Sequence, residues 1–288
     1  MRPLWFARMP ELAEVETVCR VMRDVLVGKR ITRVELVPDT IVFQSAAGAI
    51  EDALVGRTVR SVGRRGKTFW ITLAGPGPTV YGHLGMSGWI REVGHEGTRL
   101  QAHGAAPLDD AAGRPRFLKL LIQPRGSRAI AFTDPRRLGR IWLGPEPEHE
   151  PRVQRLGRDA FDDLPPVAEL LALCARRRIP IKALLLDQTA LAGIGNWLAD
   201  EVLYQARVAP HRVAATLTRP EVAALRRAIR AVVTHAVKVG ADHERFPRTW
   251  LFEHRWGGGR GSQQIDGHAI RRDEVGGRTT AWVPGLQK

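Results

Sequence analysis

Residues 182–207 read KALLLDQTALAGIGNWLADEVLYQAR, and this stretch decides how the rest of the chain is interpreted. Its apolar spacing predicts a short helix, a glycine turn at 193–195, and a longer helix that starts at Asn196. Two glycines permit a tight turn and leave the first backbone N–H groups of the second helix unobstructed. A helix start of this kind can bind phosphate. An ordinary helix hairpin with a glycine turn is the alternative that this stretch alone leaves open.

Two further segments, one near each end of the chain, carry similar information. Residues 9–16 read MPELAEVE, in which a proline and carboxylates enter a predicted helix; Pro suits its first position and acids its positive end. Residues 276–282 read GGRTTAW, a glycine turn that presents Arg278 between two extended runs. Its guanidinium could bind phosphate through two hydrogen bonds, although a lone surface arginine on a hairpin is the commoner explanation.

The charge of the whole chain favours a polyanionic partner such as nucleic acid. The 288 residues include 44 Lys and Arg against 30 Asp and Glu, a formal net charge of +14, although a basic, solvated surface is the alternative.

No apolar run reaches the roughly 18 residues of a membrane span. Cys19 and Cys174 lie far apart among apolar neighbours, which excludes a disulfide framework and a thiolate metal cluster. We therefore expect a reducing, intracellular location and no membrane partner.

The pattern of the chain predicts an α+β protein. An amphipathic helix runs from Val15 to Leu26, with Gly28 placed to stop it, and short β-rich runs follow. These runs predict an antiparallel sandwich or barrel, and they are 31–37, 58–62, 67–73, 79–84, 117–122, 129–133 and 140–143. After a proline-rich break come predicted helices at 166–178, 196–207 and 220–239, the last with a capping box of Thr218 and Glu221.

Five segments in this order resemble the formamidopyrimidine-DNA glycosylase and endonuclease VIII family of base-excision repair enzymes. They are residues 9–16, 83–88 (HLGMSG), 134–139 (DPRRLG), 182–207 and 276–282. The resemblance covers residues 9–288. It implies an N-terminal antiparallel β-sandwich with an N-terminal helix, then a helix-two-turn-helix domain that ends in a β-hairpin finger. The expected divisions are an extension at 1–8, a catalytic β-sandwich domain at 9–143, a linker at 144–165, a DNA-binding helical domain at 166–249 and a finger at 250–288.

The resemblance also implies a catalytic group. Family enzymes use the secondary amine of an N-terminal proline as nucleophile, and that proline would be Pro10. An α-amino group has an unperturbed pKa of about 8, so a useful fraction is neutral near neutral pH. Glu11 matches the acid/base carboxylate, Glu14 a supporting carboxylate, and Lys67 a basic group that also holds phosphate.

A DNA-binding group follows from the same matching. His83, Asn196 and Arg278 would bind phosphates so that one nucleotide rotates out of the stack. Met86, Arg136 and Leu138 match the positions that fill the resulting void. Leu138 stands where the bacterial enzymes usually have phenylalanine, so it keeps apolar volume without aromatic stacking and leaves the choice of opposite base open.

The C-terminal finger departs from the family pattern. Typical members have four zinc-binding cysteines, and the corresponding positions here are Gln263, Asp266, Val283 and Leu286. Two of these side chains cannot bind zinc, so we expect no metal cofactor. The segment is similar to the zincless finger of plant-type formamidopyrimidine glycosylases, for which we expect an apolar core of Trp250, Phe252, Trp256, Trp282, Val283 and Leu286.

Two features bear on activity. Residues 239–248 lack the longer glycine-rich loop with which many bacterial members cover 8-oxoguanine. The resemblance therefore favours formamidopyrimidines and further-oxidised guanines as substrates and leaves 8-oxoguanine open. Residues 1–8 precede the motif and would make the Pro10 nitrogen an unreactive amide. We expect that the start is misassigned and that Met9 is the true initiator.

The resemblance therefore predicts a monomeric, bifunctional DNA glycosylase and AP lyase that acts on damaged double-stranded DNA through a proline Schiff base with β,δ-elimination. The expected location is cytoplasmic and nucleoid-associated in a bacterium, or nuclear in a eukaryote. Two alternatives stay open: a non-catalytic DNA-binding relative in which Pro10 is blocked, and an RNA-binding module built on the helix-two-turn-helix.

Overall fold

The computed structural model describes residues 10–94, 109–255 and 263–288. The chain divides into two compact units, the first formed by Met1–Arg155 with Gly240–His243 and the second by Leu156–Val239 with Glu244–Lys288. The division at residues 155 and 156 lies inside the range 144–165 predicted as a linker. That range contains a helix and a strand, so part of it is regular structure.

The first unit contains eight described strands that form two antiparallel sheets. The strands are β1 (Ile31–Leu36), β2 (Val59–Arg65), β3 (Thr68–Leu73), β4 (Thr79–His83), β5 (Trp89–Glu92), β6 (Leu118–Pro124), β7 (Ile130–Thr133) and β8 (Arg140–Gly144). One sheet has the order β1-β6-β7-β5 and the other β2-β3-β4-β8. Every neighbouring pair is antiparallel, which confirms the predicted β-sandwich.

The helices of this unit are α1 (Leu12–Leu26), α2 (Ala47–Leu54) and α3 (Pro151–Gln154). Helix α1 is the predicted N-terminal helix, and the chain leaves it through Gly28 at φ 77°, a conformation that glycine adopts without strain. Met22 of α1 and apolar side chains of both sheets line one small internal cavity, which places the helix against the sandwich core. The sheet residues around it are Phe69, Ile71, Val80, Tyr81, Ile90, Leu120, Ile122, Ile130, Phe132 and Ile141.

The second unit combines helices with short strands. Its helices are α4 (Val167–Ala175), α5 (Ile181–Leu186), α6 (Asn196–Ala206) and α7 (Arg219–Lys238). Its strands are β9 (Arg158–Asp159), β10 (Leu191–Ala192), β11 (Gln264–Ile265), β12 (His268–Ala269), β13 (Arg271–Val275) and β14 (Arg278–Trp282). The capping box at the start of α7 forms as predicted, with Thr218 N–H donating to Glu221 Oε2 over 2.7 Å.

The C-terminal hairpins pack on α6 through apolar side chains. Val283 is fully buried in a cluster with Tyr204, Leu251, Ile265, Ile270 and Ala281, and Leu286 packs against it. Trp250 and Phe252 lie in a separate aromatic group around Phe246, with ring centroids 5.0 Å away in each case. Trp282 is partly buried and donates Nε1–H to Asp273 over 2.7 Å. Trp256, which we also expected in the core, lies outside the described residues.

Within the described ranges no helix combines the length and the apolarity that a bilayer crossing requires.

Candidate functional site

The start of α1 holds two buried carboxylates directly after Pro10. Glu11 is the N-cap residue, with 2% of its surface exposed, and Glu14 has 1% exposed. Glu11 N–H donates to Glu14 Oε2 over 3.1 Å, and the Glu11 side chain accepts from the backbone of Glu14, so the two residues form a capping box. Pro10 is also buried, and the box fixes the backbone that carries three of the four predicted catalytic residues, Pro10, Glu11 and Glu14.

A buried ion cluster joins α1 to the strand before the turn that carries Lys67. Arg64 of β2 donates to Glu16 Oε2 over 2.9 Å with 1% of its side chain exposed, and Arg23 donates to Glu16 Oε1 over 2.7 Å. Burial raises the pKa of Glu16, but hydrogen bonding from Arg23 and the charge of Arg64 outweigh it and lower that pKa overall. Glu16 and Arg64 were not among the predicted site residues.

Lys67 and His83 lie at the same end of one sheet. Lys67 is in the two-residue turn between β2 and β3, and Thr68, the next residue, is paired with His83. Burial and the positive charges of Lys67 and Arg140 lower the pKa of His83 to about 4. Its Nδ1 accepts Gly85 N–H over 2.9 Å. The neutral ring therefore carries its proton on Nε2, as a hydrogen-bond donor.

Asp134 ties together the two loops that carry the predicted void-filling residues. Its Oδ1 accepts the Ser87 hydroxyl over 2.5 Å and Arg136 N–H over 3.2 Å, and its Oδ2 accepts Gly139 N–H over 2.7 Å. Asp134 is 1% exposed, so these bonds are shielded from water. The sequence motif contained this residue, but its holding role was missed because no local pattern indicates Ser87 as a partner.

The void-filling candidates stand around this buried carboxylate. Met86 and Leu138 are half-buried, whereas Arg136 is exposed. Gly85 has φ 62°, and a Cβ there would collide with the backbone carbonyl of Leu138. The loops at 83–88 and 134–139 can therefore approach each other only because residue 85 is glycine. The first unit thus brings Lys67, His83, Met86, Arg136 and Leu138 to one edge of the sandwich.

Asn196 and Arg278 come together in the second unit. Asn196 is the first residue of α6, and Gly193 before it has φ 106°. Asn196 Nδ2 donates to the carbonyl of Thr279 over 3.0 Å, which places it beside the residue that follows Arg278. Arg278 is exposed at the start of β14, after a turn of Gly276 and Gly277, both at positive φ. An exposed guanidinium beside the start of a helix is a suitable phosphate-binding pair.

Beneath this pair lies a second buried ion cluster, formed by Lys182, Asp200 and Arg255. Lys182 Nζ is 2.6 Å from Asp200 Oδ1, and Arg255 Nη2 is 2.5 Å from Asp200 Oδ2. None of these three was predicted as a site residue. They are 18 or more positions apart in the sequence, so only the tertiary fold shows that they meet.

The four positions that match zinc ligands do not fit a zinc ion. Val283 is in the apolar cluster against α6, Leu286 packs on that cluster, and Asp266 accepts the Tyr204 hydroxyl over 3.3 Å. Two of the four side chains have no donor atom, whereas a structural zinc site requires four ligands. Among residues 10–94, 109–255 and 263–288, no group of three or more His, Cys, Asp or Glu could hold a metal. The absence of zinc stays a prediction.

Two parts of the chain match domains of one enzyme family. Residues 9–141 match the formamidopyrimidine-DNA glycosylase N-terminal domain, and residues 156–247 match the formamidopyrimidine-DNA glycosylase H2TH domain. The first match starts one residue before Pro10. Together they include every predicted site residue except Arg278.

Whole-chain comparisons agree with these matches. The formamidopyrimidine-DNA glycosylase of Arabidopsis thaliana is 36% identical over 281 residues, covering 97% of this chain and 71% of that protein. The enzyme of the same name from Salinispora arenicola is 39% identical over 235 residues, covering 81% and 77%. A Lactococcus lactis formamidopyrimidine-DNA glycosylase, crystallised with DNA containing an AP site, shares the fold with a TM-score of 0.78 and 24% identity, covering 97% of this chain and all of that one. This chain belongs to the formamidopyrimidine-DNA glycosylase family of base-excision repair enzymes.

Proposed function

We propose that this protein excises oxidised purines from double-stranded DNA and then cleaves the strand at the resulting abasic site, with Pro10 as the nucleophile. The observation that carries the proposal is the capping box: two buried carboxylates are fixed within four residues of Pro10, the second residue of the family match. Full membership in the family, rather than this geometry alone, supports the class of reaction.

The first step is displacement of the damaged base. Once its nitrogen is a free amine, Pro10 attacks C1′ of the deoxyribose, the bond between C1′ and the base breaks, and the base leaves with a proton. Glu11 is placed to deliver a proton to the ring oxygen or to the departing base. When the ring opens, Pro10 and C1′ share an iminium whose positive nitrogen accepts electrons.

The second step is strand cleavage by that iminium. Loss of a C2′ proton expels the 3′ phosphate and leaves an unsaturated sugar. Loss of a C4′ proton then expels the 5′ phosphate. Hydrolysis then releases the sugar fragment and restores the amine of Pro10. Lys67, at the edge of the sandwich that carries His83, supplies positive charge to the phosphates that bear developing negative charge.

Extrusion of the damaged nucleotide precedes both steps. We propose that His83, Asn196 and Arg278 bind backbone phosphates and that Met86, Arg136 and Leu138 occupy the space the base leaves. Because His83 Nδ1 is occupied by Gly85 N–H, His83 would donate from a neutral Nε2. Leu138, which is half-buried, fills volume but stacks less strongly than an aromatic ring.

Formamidopyrimidines and further-oxidised guanines are the proposed preferred lesions, with 8-oxoguanine excised more slowly. Residues 239–248 support this preference, because only a three-residue helical turn, His243–Arg245, interrupts the ten residues after α7. Such a short connection offers little chain with which to enclose a large planar base.

The test uses protein that begins at Pro10, with duplexes that contain a formamidopyrimidine, a hydantoin-type oxidised guanine or 8-oxoguanine. We expect base release, strand products with phosphates at both ends of the gap, and the fastest single-turnover rate with the first two lesions. The 288-residue chain with Met1 retained is the control, and it should bind the same duplexes without cleaving them. If the protein that begins at Pro10 binds but cleaves none of them, the non-catalytic DNA-binding relative is the correct assignment.

A further inference from the structure

The buried ion cluster of Lys182, Asp200 and Arg255 is the most unusual feature of the second unit. The side chains of Lys182 and Asp200 are 0% exposed, and that of Arg255 is 5% exposed. Ionised groups this deeply buried are expensive to desolvate, and a carboxylate between two cations offsets that cost only when its geometry is good. Asp200 lies 2.6 Å from the Lys182 ammonium and 2.5 Å from the Arg255 guanidinium, so its charge is close to both cations. We therefore expect this cluster to fix the position of the backbone that is hydrogen-bonded to it.

What the cluster holds is the backbone directly after Arg278. Ala281 N–H donates to Asp200 Oδ2 over 3.1 Å. Lys182 Nζ donates to the Thr279 carbonyl over 3.1 Å and to the Thr280 hydroxyl over 2.7 Å. Three consecutive residues of β14 are thus bonded to Asp200 or to its partner Lys182.

The same contacts reach Arg278 and Asn196 themselves. The Thr280 hydroxyl donates to the Arg278 carbonyl over 3.0 Å, and Asn196 Nδ2 donates to the Thr279 carbonyl, which Lys182 also uses. The apolar cluster around Val283 fixes the other end of β14. Two anchors therefore hold this strand, and the ionic one is at the end that presents Arg278.

We propose that Asp200 is the positioning residue for Arg278, and that the Lys182–Asp200–Arg255 cluster holds the hairpin where metal-containing family members use zinc. Asp200 does not contact DNA in this account. It acts by balancing two buried cations and by accepting Ala281 N–H, which keeps Lys182 and the β14 backbone bonded to Lys182 in one arrangement. The inference rests on the proposed function, because it assumes that Arg278 binds a phosphate.

The test measures the dissociation constant of the full 288-residue chain for a duplex with a tetrahydrofuran abasic-site analogue, at several salt concentrations between about 50 and 200 mM. The proteins are wild type, Arg278→Ala, Asp200→Asn and the double variant. Asp163→Asn is the matched control, because Asp163 also pairs with an arginine, Arg158, over 2.7 Å, but its side chain is 57% exposed. All variants are first checked for cooperative thermal unfolding.

We expect Arg278→Ala to weaken binding about tenfold and to reduce the salt slope by about one phosphate contact. Asp200→Asn should cause a similar loss, and adding Arg278→Ala to it should change the dissociation constant less than about twofold. Asp163→Asn should bind like wild type. If Arg278→Ala weakens the Asp200→Asn protein as much as it weakens wild type, Arg278 is positioned without Asp200 and the inference is wrong. If Arg278→Ala leaves the dissociation constant and the salt slope of the wild-type protein unchanged, Arg278 does not bind a phosphate. That result refutes this part of the proposed function, and the inference about Asp200 with it.

Thr280→Val keeps the test decisive if Asp200→Asn does not fold. It removes only the hydroxyl between Lys182 and Arg278 and keeps the shape of a side chain that is 0% exposed. We expect binding about fivefold weaker and faster hydrogen exchange at the Ala281 amide. Thr133→Val is its control, since Thr133 is equally buried and its hydroxyl has no hydrogen-bond partner among the described residues. Equal binding and equal exchange in the two variants would refute the proposal.

Discussion

Glu14 accepts the backbone N–H of Glu11 over 3.1 Å, and this bond sets the direction in which the chain enters α1 from Pro10. Both carboxylates are almost completely buried, so the bond does not compete with water. In the proposed mechanism Glu14 would therefore act by orienting Glu11 and Pro10, a role that requires a hydrogen-bond acceptor at this position and no charge.

Glu14→Ala should slow base release about 100-fold, because small displacements of reacting groups are costly. It should also reduce the free energy of unfolding by about 1 kcal/mol through loss of the cap. Glu14→Gln retains an acceptor and should keep most of the rate. Single-turnover kinetics and urea unfolding measure both effects, and equal slowing by Gln and Ala would show that the charge of Glu14 matters instead.

Glu16→Gln should reduce the free energy of unfolding by about 3 kcal/mol, because it leaves the buried Arg64 guanidinium without its carboxylate. Glu146→Gln is the control: Glu146 pairs with Arg60 over 2.7 Å, but both side chains are largely exposed, so less than about 1 kcal/mol is expected. Denaturant titrations of the three proteins at pH 7 make the comparison. Similar losses in the two variants would argue against a special role for the buried pair.

The same Glu16 pair predicts a pH dependence. The folded protein lowers the pKa of Glu16 from 4.5, so its stabilising effect is complete above pH 4.5 and is lost as the pH falls through the lowered value. The difference in unfolding free energy between wild type and Glu16→Gln should accordingly shrink below pH 4.5. A difference that stays constant down to pH 3 would contradict the ion-pair explanation.

His83 should stay neutral throughout the pH range in which the protein acts. Its pKa is lowered to about 4, so the stabilising effect of the neutral ring is full above its ordinary value of 6.5 and is lost as the pH falls through about 4. Ring ¹⁵N chemical shifts should report an Nε2–H tautomer between pH 5 and 8. A titration midpoint near 6.5 would show that His83 is solvated and can bind phosphate as a cation.

The finger should be stable without metal. Val283→Ala should reduce the free energy of unfolding by about 2 kcal/mol, because Val283 is fully buried in the apolar cluster against α6. Protein purified without a histidine tag should contain no stoichiometric zinc, and a chelator should leave its melting temperature unchanged. Zinc at one equivalent, or a melting temperature that a chelator lowers, would contradict this account of the finger.

The sequence predicted the elements whose signals are local. The apolar spacing of α1, the stop at Gly28 and the capping box at Thr218 are all short-range patterns, and the structure has each of them. Strand β5 was missed because its four residues, Trp89–Glu92, include two charges and show no long alternation. Helix α2 was missed although Ile50, Ala53 and Leu54 have helical spacing, because the eight-residue segment has no acidic first turn or side-chain cap.

The candidate site was predictable only in part. The residues named in advance belong to short motifs, and the structure brings Lys67 and His83 to one sheet end and Asn196 beside the Arg278 hairpin. The groups that hold them, Asp134, the Glu16–Arg64 pair and Asp200, were not predicted. Each has at least one partner 47 to 81 positions away, for example Ser87 with Asp134 and Ala281 with Asp200. Such roles depend on the fold, and no spacing rule in the sequence indicates them.

The central claim, that the nitrogen of Pro10 bonds to the sugar, is tested by borohydride reduction of protein beginning at Pro10 with damaged duplex, followed by mass spectrometry of the digested adduct. The account predicts a stable cross-link with the sugar remnant on the N-terminal peptide, at the nitrogen of Pro10. A remnant on the peptide that contains Lys67, or no cross-link from protein that binds the duplex, would contradict it.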